Sequence, residues 1–196
     1  MSLTTKAWWQ QRLDGSRKTG SQYDVTCSWS NEQRAQETGR IAAEVHKVMQ
    51  GVDRLVDFGA GRGRLGTVVT QSWGIGYVGV EILPDLVAEM QAKGLKAFLY
   101  AGDPLPAEVD GDAALYCLIV QHLTDDEAVE VFKATKAGRI VLVEGVWKSD
   151  HYTLARTQEQ YVKILSEAGC KHVGISVLET PMAKYKIVTG IRGNAS

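Results

Sequence analysis

Two periods of hydrophobicity divide the chain. Up to about residue 50 the apolar positions Ile41, Val45, Val48 and Met49 recur at helical spacing, with Ala42 beside them. Ser30-Asn31-Glu32-Gln33 ahead of them fits a capping box, and Gly51 fits the residue just past a helix end. Residues 7–13 read as a short amphipathic helix stopped near Gly15. From residue 54 short apolar runs alternate with amphipathic stretches. The runs predict strands at 54–58, 76–82, 96–100, 113–119 and 139–144. The stretches between them predict helices at 64–73, 84–93, 125–136 and 157–168, the second opened by Pro84 and the third by the capping box Thr124–Glu127. The run Ile140-Val141-Leu142-Val143 is wholly apolar, as a strand covered on both faces should be. Such alternation predicts an α/β protein, a doubly wound parallel sheet with helices on both faces.

The tail breaks the rhythm. Residues 173–178 and 184–191 are both strand-like, and a short loop with Pro181 joins them, so an antiparallel hairpin is expected to complete a seven-stranded sheet. No linker or repeat interrupts the chain. A single domain is expected over residues 1–196, with 1–50 as a helical extension or lid and 51–196 as the core.

Composition narrows the partners. At 196 residues, with 44% hydrophobic and 23% charged positions, the chain reads as an ordinary soluble globular domain. A net charge of −1 gives no electrostatic case for nucleic acid or a membrane surface. Cys27, Cys117 and Cys170 are odd in number and far apart, which fits neither a disulfide framework nor a metal site. A reducing, cytoplasmic setting is expected. The first residues lack the apolar stretch of a signal peptide, and no run is long enough to span a bilayer.

The chemistry concentrates at residues 56–66. A strand runs into Gly59-Ala60-Gly61-Arg62-Gly63, and a helix follows, which is a nucleotide-binding corner of an α/β sheet. Gly61-x-Gly63-x-x-Gly66 matches the dinucleotide spacing. Asp57 directly before the turn points elsewhere, because a carboxylate repels a pyrophosphate and attracts an ammonium group. Glu81 ends the second strand, where a carboxylate accepts bonds from ribose hydroxyls, and Asp103 follows the third, where an acid meets an exocyclic amine. Three acids at three successive strand ends select an amino-bearing nucleoside without phosphate.

This pattern resembles the class I S-adenosylmethionine-dependent methyltransferases, over roughly residues 50–191. The matching parts are 56–66, Tyr77-Val78-Gly79-Val80-Glu81, Ala101-Gly102-Asp103, residues 117–123 and the terminal hairpin. The resemblance implies a Rossmann-like sheet with a reversed last strand and S-adenosylmethionine as cofactor. It implies that Gly59 and Gly61 lie along the cofactor, that Glu81 holds the ribose and that Asp103 or its neighbour meets the adenine. Cys117 and Leu118, where strand 4 ends, would then lie beside the transferred methyl. Gly59–Arg64 and His122-Leu123-Thr124-Asp125 look like the protein N-terminal α-amino methyltransferases, which implies Arg64 on the cofactor carboxylate and His122 at the catalytic centre. That group has a tryptophan four residues before the histidine, where this chain has Leu118.

Two roles stay open at several positions. His122 is either a catalytic group or a structural histidine at a helix start, and Glu144 ends strand 5 where active-site groups gather. Asp150 and His151 are loop residues that are either near the site or merely solvated. Trp8, Trp9, Tyr23 and Trp29 are core or lid, and Cys117 also reads as a small buried hydrophobe. The chain lacks the Asn-Pro-Pro-Tyr motif of amino-directed DNA methyltransferases, so the expected acceptor is a small molecule or a peptide amine or hydroxyl. A non-catalytic S-adenosylmethionine-binding domain and a nicotinamide-dependent oxidoreductase are the rival readings.

Overall fold

The strand that leads into the glycine turn lies in the middle of the sheet. In the computed structural model, which describes residue 7 and residues 9–14, 30–100, 105–146 and 153–193, β1 (Arg54–Phe58) pairs in parallel with β2 (Gly76–Glu81) on one side and β4 (Ala113–Cys117) on the other. β3 (Ala97–Leu99) extends the sheet beyond β2, and β5 (Arg139–Gly145) beyond β4, again in parallel. β7 (Lys184–Arg192) runs antiparallel to β5, and β6 (Cys170–Glu179) antiparallel to β7. The order is β3-β2-β1-β4-β5-β7-β6. The chain therefore winds outward from β1 to β3 and then crosses back to β4. That reversal opens a crevice above the carboxyl ends of β1 and β4, where open α/β sheets bind ligands.

Helices cover both faces, as the alternation requires. On one side Ile140 and Leu142 pack with Phe58, Tyr116 and residues of α4 (Asp125–Ala134) and α5 (Gln158–Glu167). On the other, Val141 and Val143 pack with Leu55, Leu115 and with α1 (Asn31–Lys47) through Ile41 and Val45. α3 (Pro84–Ala92) adds Val87 and Met90 to that second layer. Successive β5 residues serve opposite layers, which is why the strand has no polar alternation. The Ser30, Thr124 and Thr157 side chains each close a capping box at the start of α1, α4 and α5.

The differences from the sequence pattern are local. The helix expected at 64–73 is α2 (Arg64–Val68) followed by a π-helical turn over Val69–Trp73. There the hydroxyls of Thr67 and Thr70 donate to the carbonyls of Gly63 and Gly66 and compete with the backbone ladder. Gly51 does not directly follow the helix, which is capped at Val48; its φ of 73° serves the tight turn beyond. β4 stops at Cys117, two residues short, because Leu118 turns to a positive φ. β6 begins at Cys170, three residues early, with a bulge before His172. The helical segment 9–14 packs Trp9 and Leu13 onto Leu83 and Leu86. Of the residues singled out in the sequence, Trp8, Gly15, Tyr23, Cys27, Trp29, Gly102, Asp103, Asp150 and His151 lie outside the described residues. No helix among the described residues is long and apolar enough to cross a membrane.

Candidate active site

The turn after β1 is built from backbone. Gly59 and Gly61 take φ values of 68° and 58°, which side chains rarely adopt. The N–H groups of Gly59 and Ala60 donate to the Val80 carbonyl (2.8 and 3.2 Å) and anchor the turn to β2. A Cβ at Gly59 would fall 2.3 Å from the Ile119 side chain, so the turn lies directly against the chain leaving β4. A Cβ at Gly61 would meet no atom within 4 Å, and Gly61 lines a cavity. Space for a ligand thus begins at Gly61.

Two acids and an arginine surround this turn. Glu81 ends β2, where its Oε2 accepts the Gly61 N–H (2.9 Å) and its Oε1 accepts those of Ile82 (2.6 Å) and Leu83 (3.2 Å). Burial raises its pKa, and these three donors oppose the rise. Asp57, on the preceding side of the turn, is only 2% exposed, and its Oδ2 accepts the Tyr77 hydroxyl proton (2.8 Å). Burial pushes Asp57 up to about 7; Tyr77 and the Arg64 guanidinium pull it down, and Glu81 pushes it further up. Arg64 begins α2 and spans from α1 to β4, donating to Thr38 Oγ1 (2.8 Å) and reaching Cys117 Sγ (3.8 Å). Burial also lifts the Cys117 thiol, to about 12, so it is neutral near pH 7.

The third wall is the chain after β4. Leu118 has φ 62°, and it is the one non-glycine residue with positive φ among the described residues. Such strain persists where the surroundings over-determine it, and here they do. The Leu118 N–H still donates to Val143 (2.7 Å), and a 3₁₀ turn follows at Val120–His122. Glu144, wholly buried, accepts the N–H groups of Val120 (3.1 Å) and Gln121 (2.7 Å). Arg156 holds the same turn by its carbonyls, donating to Val120 (2.7 Å) and Leu123, and it pairs with Asp125 (2.8 Å). One turn is therefore gripped by an acid on its N–H side and a base on its C=O side. Burial pushes Glu144 up to about 8, against the pull of the turn's N–H groups and Arg156. The turn carries His122, which does not itself line the cavity; its ring packs T-shaped against that of Trp9 (centroids 5.0 Å apart, planes at 89°), and its Nε2 lies 3.3 Å from the Gln121 side-chain amide nitrogen.

Gly59, Gly61, Arg64, Glu81, Cys117 and Leu118 line one cavity, with Trp9, Leu83 and Leu86 closing part of it. Asp57 lies beside it, bound to Tyr77. Glu144 turns its carboxylate to the backbone of the His122 turn, so it positions the turn. Sequence reasoning missed Tyr77, Ile119 and Arg156. Only the placement of Arg156 directly before the Thr157 cap hinted at a fixed role. Among the described residues no group of three histidines, cysteines or acids is placed to hold a metal ion.

No protein-family profile matches the whole or part of the chain. Cephaeline 6'-O-methyltransferase of Carapichea ipecacuanha is 24% identical over 157 residues, 66% of this chain and 45% of that protein. Human N-acetylserotonin methyltransferase in complex with S-adenosylmethionine superposes with a TM-score of 0.63 at 16% identity, over 84% of this chain and 57% of that one. Magnesium protoporphyrin IX methyltransferase from Synechocystis PCC 6803, with bound S-adenosylhomocysteine, gives 0.65 at 15% identity, over 97% and 95%. The chain thus spans about half the length of the first two proteins and nearly all of the third. With its reversed β7 beside β5, the sheet has the fold of the class I S-adenosylmethionine-dependent methyltransferases.

Proposed function

We propose that the chain binds S-adenosylmethionine in this cavity and moves its methyl group to a small-molecule hydroxyl or amine. The observation that carries the reading is the meeting of Glu81, Arg64 and an open glycine turn at the point where the sheet reverses. In this reading Glu81 exchanges part of its backbone bonding for the ribose hydroxyls. Arg64 takes the cofactor carboxylate, and Asp57 supplies negative charge near the ammonium group. Leu83 and Leu86 flank the adenine, and Asp103 receives its amine. The bound cofactor supplies the electrophilic methyl carbon, and catalysis is then mostly alignment.

His122 is the residue proposed to take the acceptor's proton. The turn that carries it is fixed by Glu144 and Arg156, and Trp9 meets both the cavity and the imidazole. A hydroxyl acceptor needs such a base, since it is a poor nucleophile while protonated. A small-molecule acceptor is favoured over a peptide because the relatives named above act on small molecules. No nucleic-acid or membrane partner belongs to this reading. The setting proposed is reducing and cytoplasmic, on the odd number and wide spacing of the cysteines in the sequence.

Calorimetric titration with S-adenosylhomocysteine and, separately, NADH tests the cofactor. Micromolar binding of the first with none of the second is expected; the reverse would sink the proposal in favour of an oxidoreductase. With an acceptor found by a methyl-transfer screen, His122→Ala should lower kcat by about 10²–10³ while leaving S-adenosylhomocysteine affinity within about threefold. Full turnover in that variant would remove the base.

A further inference from the structure

Nothing in the pattern of residues 76–82 marks Tyr77 as more than a strand residue, and its surroundings say otherwise. Its ring lies across Gly66: a Cβ there would fall 2.4 Å from the ring Cζ and 2.9 Å from the hydroxyl oxygen. The ring is buried, and its hydroxyl donates to Asp57 at 2.8 Å. Gly66 completes the dinucleotide-like spacing Gly61-x-Gly63-x-x-Gly66, yet what it faces is this tyrosine. The bare backbone of α2 at Gly66 makes room for a phenol that reaches from β2 to the acid of β1.

We infer that Tyr77 is a positioning residue for the cofactor's ammonium site, acting through Asp57, with Gly66 kept free of a side chain to admit it. The inference rests on the cofactor reading above. A phenol that donates to a carboxylate stabilises its charged form. It also fixes which way the carboxylate points. The charged and titratable groups that face Asp57 are Arg64 from α2, Glu81 from the end of β2, Tyr77 itself and the Cys117 thiol from β4. Arg64 favours the ionised acid, Glu81 opposes it, and Cys117 is neutral. With Asp57 titrating near 7, a single donated bond decides how much negative charge faces the ligand at neutral pH.

The test is S-adenosylhomocysteine binding by calorimetry from pH 5.5 to 8.5, for the wild type, Tyr77→Phe and Gly66→Ala. Phenylalanine keeps the ring over Gly66 and removes only the donor. Wild-type affinity is expected to rise as pH passes through about 7. In Tyr77→Phe the midpoint should move up by about one pH unit, leaving binding about fivefold weaker at pH 7, about tenfold weaker at pH 5.5 and converging on the wild type toward pH 8.5. Gly66→Ala, whose Cβ displaces the ring, should shift the midpoint the same way. A purely structural role would weaken binding equally at every pH. A pH-independent loss, or no change, in Tyr77→Phe overturns the inference. If the wild type fails to bind S-adenosylhomocysteine at any pH, the cofactor reading falls and this inference with it, which is a different result from a wild type that binds and a variant that matches it.

Discussion

Glu81→Ala is expected to weaken S-adenosylhomocysteine binding by at least about 100-fold. A carboxylate that holds two ribose hydroxyls makes two charge-assisted bonds, each worth about 1.5–3 kcal/mol. Losing both costs about 3 kcal/mol or more, which is about two decades in Kd. A second effect adds to the first. The same carboxylate accepts the N–H groups of Gly61, Ile82 and Leu83, so it sets the shape of the glycine turn and the entry to α3. Alanine removes that acceptor and loosens the turn that must lie along the ligand. Glu81→Gln keeps one oxygen and the side-chain length, and should lose only about tenfold. Calorimetry gives the affinities, and far-UV circular dichroism with a thermal melt separates lost binding from lost fold. A folded Glu81→Ala protein that binds within threefold of the wild type would mean that the ribose lies elsewhere.

The residues of the site are legible in the sequence to different degrees, for physical reasons. Glu81 and Asp57 stood out because an acid ending an apolar strand needs a partner. The sheet and its terminal hairpin were legible because burial on two faces leaves a continuous apolar run, as in β5, while the hairpin has no helix between its strands. Arg64 was readable through family resemblance alone; its bridge from Thr38 to Cys117 joins residues 26 and 53 positions away. Leu118 looked like the next strand residue, since nothing in its side chain encodes a positive φ. Tertiary packing imposes that conformation. Gly66 shows the opposite failure: its spacing matched a phosphate-binding fingerprint, and the structure places a tyrosine ring against it. Spacing records that a position must be bare and leaves unstated what it is bare for.

Arg156 and Glu144 form the part of the site with the largest stake in stability, and Glu144→Ala, which strips two buried N–H donors of their acceptor, should cost about 2–6 kcal/mol of folding free energy. Glu144 is wholly buried, and the N–H groups of Val120 and Gln121 have it as their acceptor. Its removal leaves those donors unsatisfied in the core. The pH dependence carries a sign. Because burial raises Glu144 from 4.5 to about 8, its share of stability is greatest below the unfolded value and is lost as pH rises through about 8. Glu144→Gln cannot ionise, so its urea-unfolding free energy should fall less between pH 5 and 8.5 than that of the wild type. The loss in Glu144→Ala should be strongly non-additive with Arg156→Met, since both hold one turn. A Glu144→Ala loss below about 1 kcal/mol, or additive losses in the pair, would show that the turn stands without its clamp. The link to function is then direct: Leu118, Ile119 and His122 are held between β4 and α4 by this pair. A variant that stays folded at low temperature should still lose turnover, while S-adenosylhomocysteine, assigned in the proposed reading to Glu81 at the end of β2 and Arg64 at the start of α2, should continue to bind.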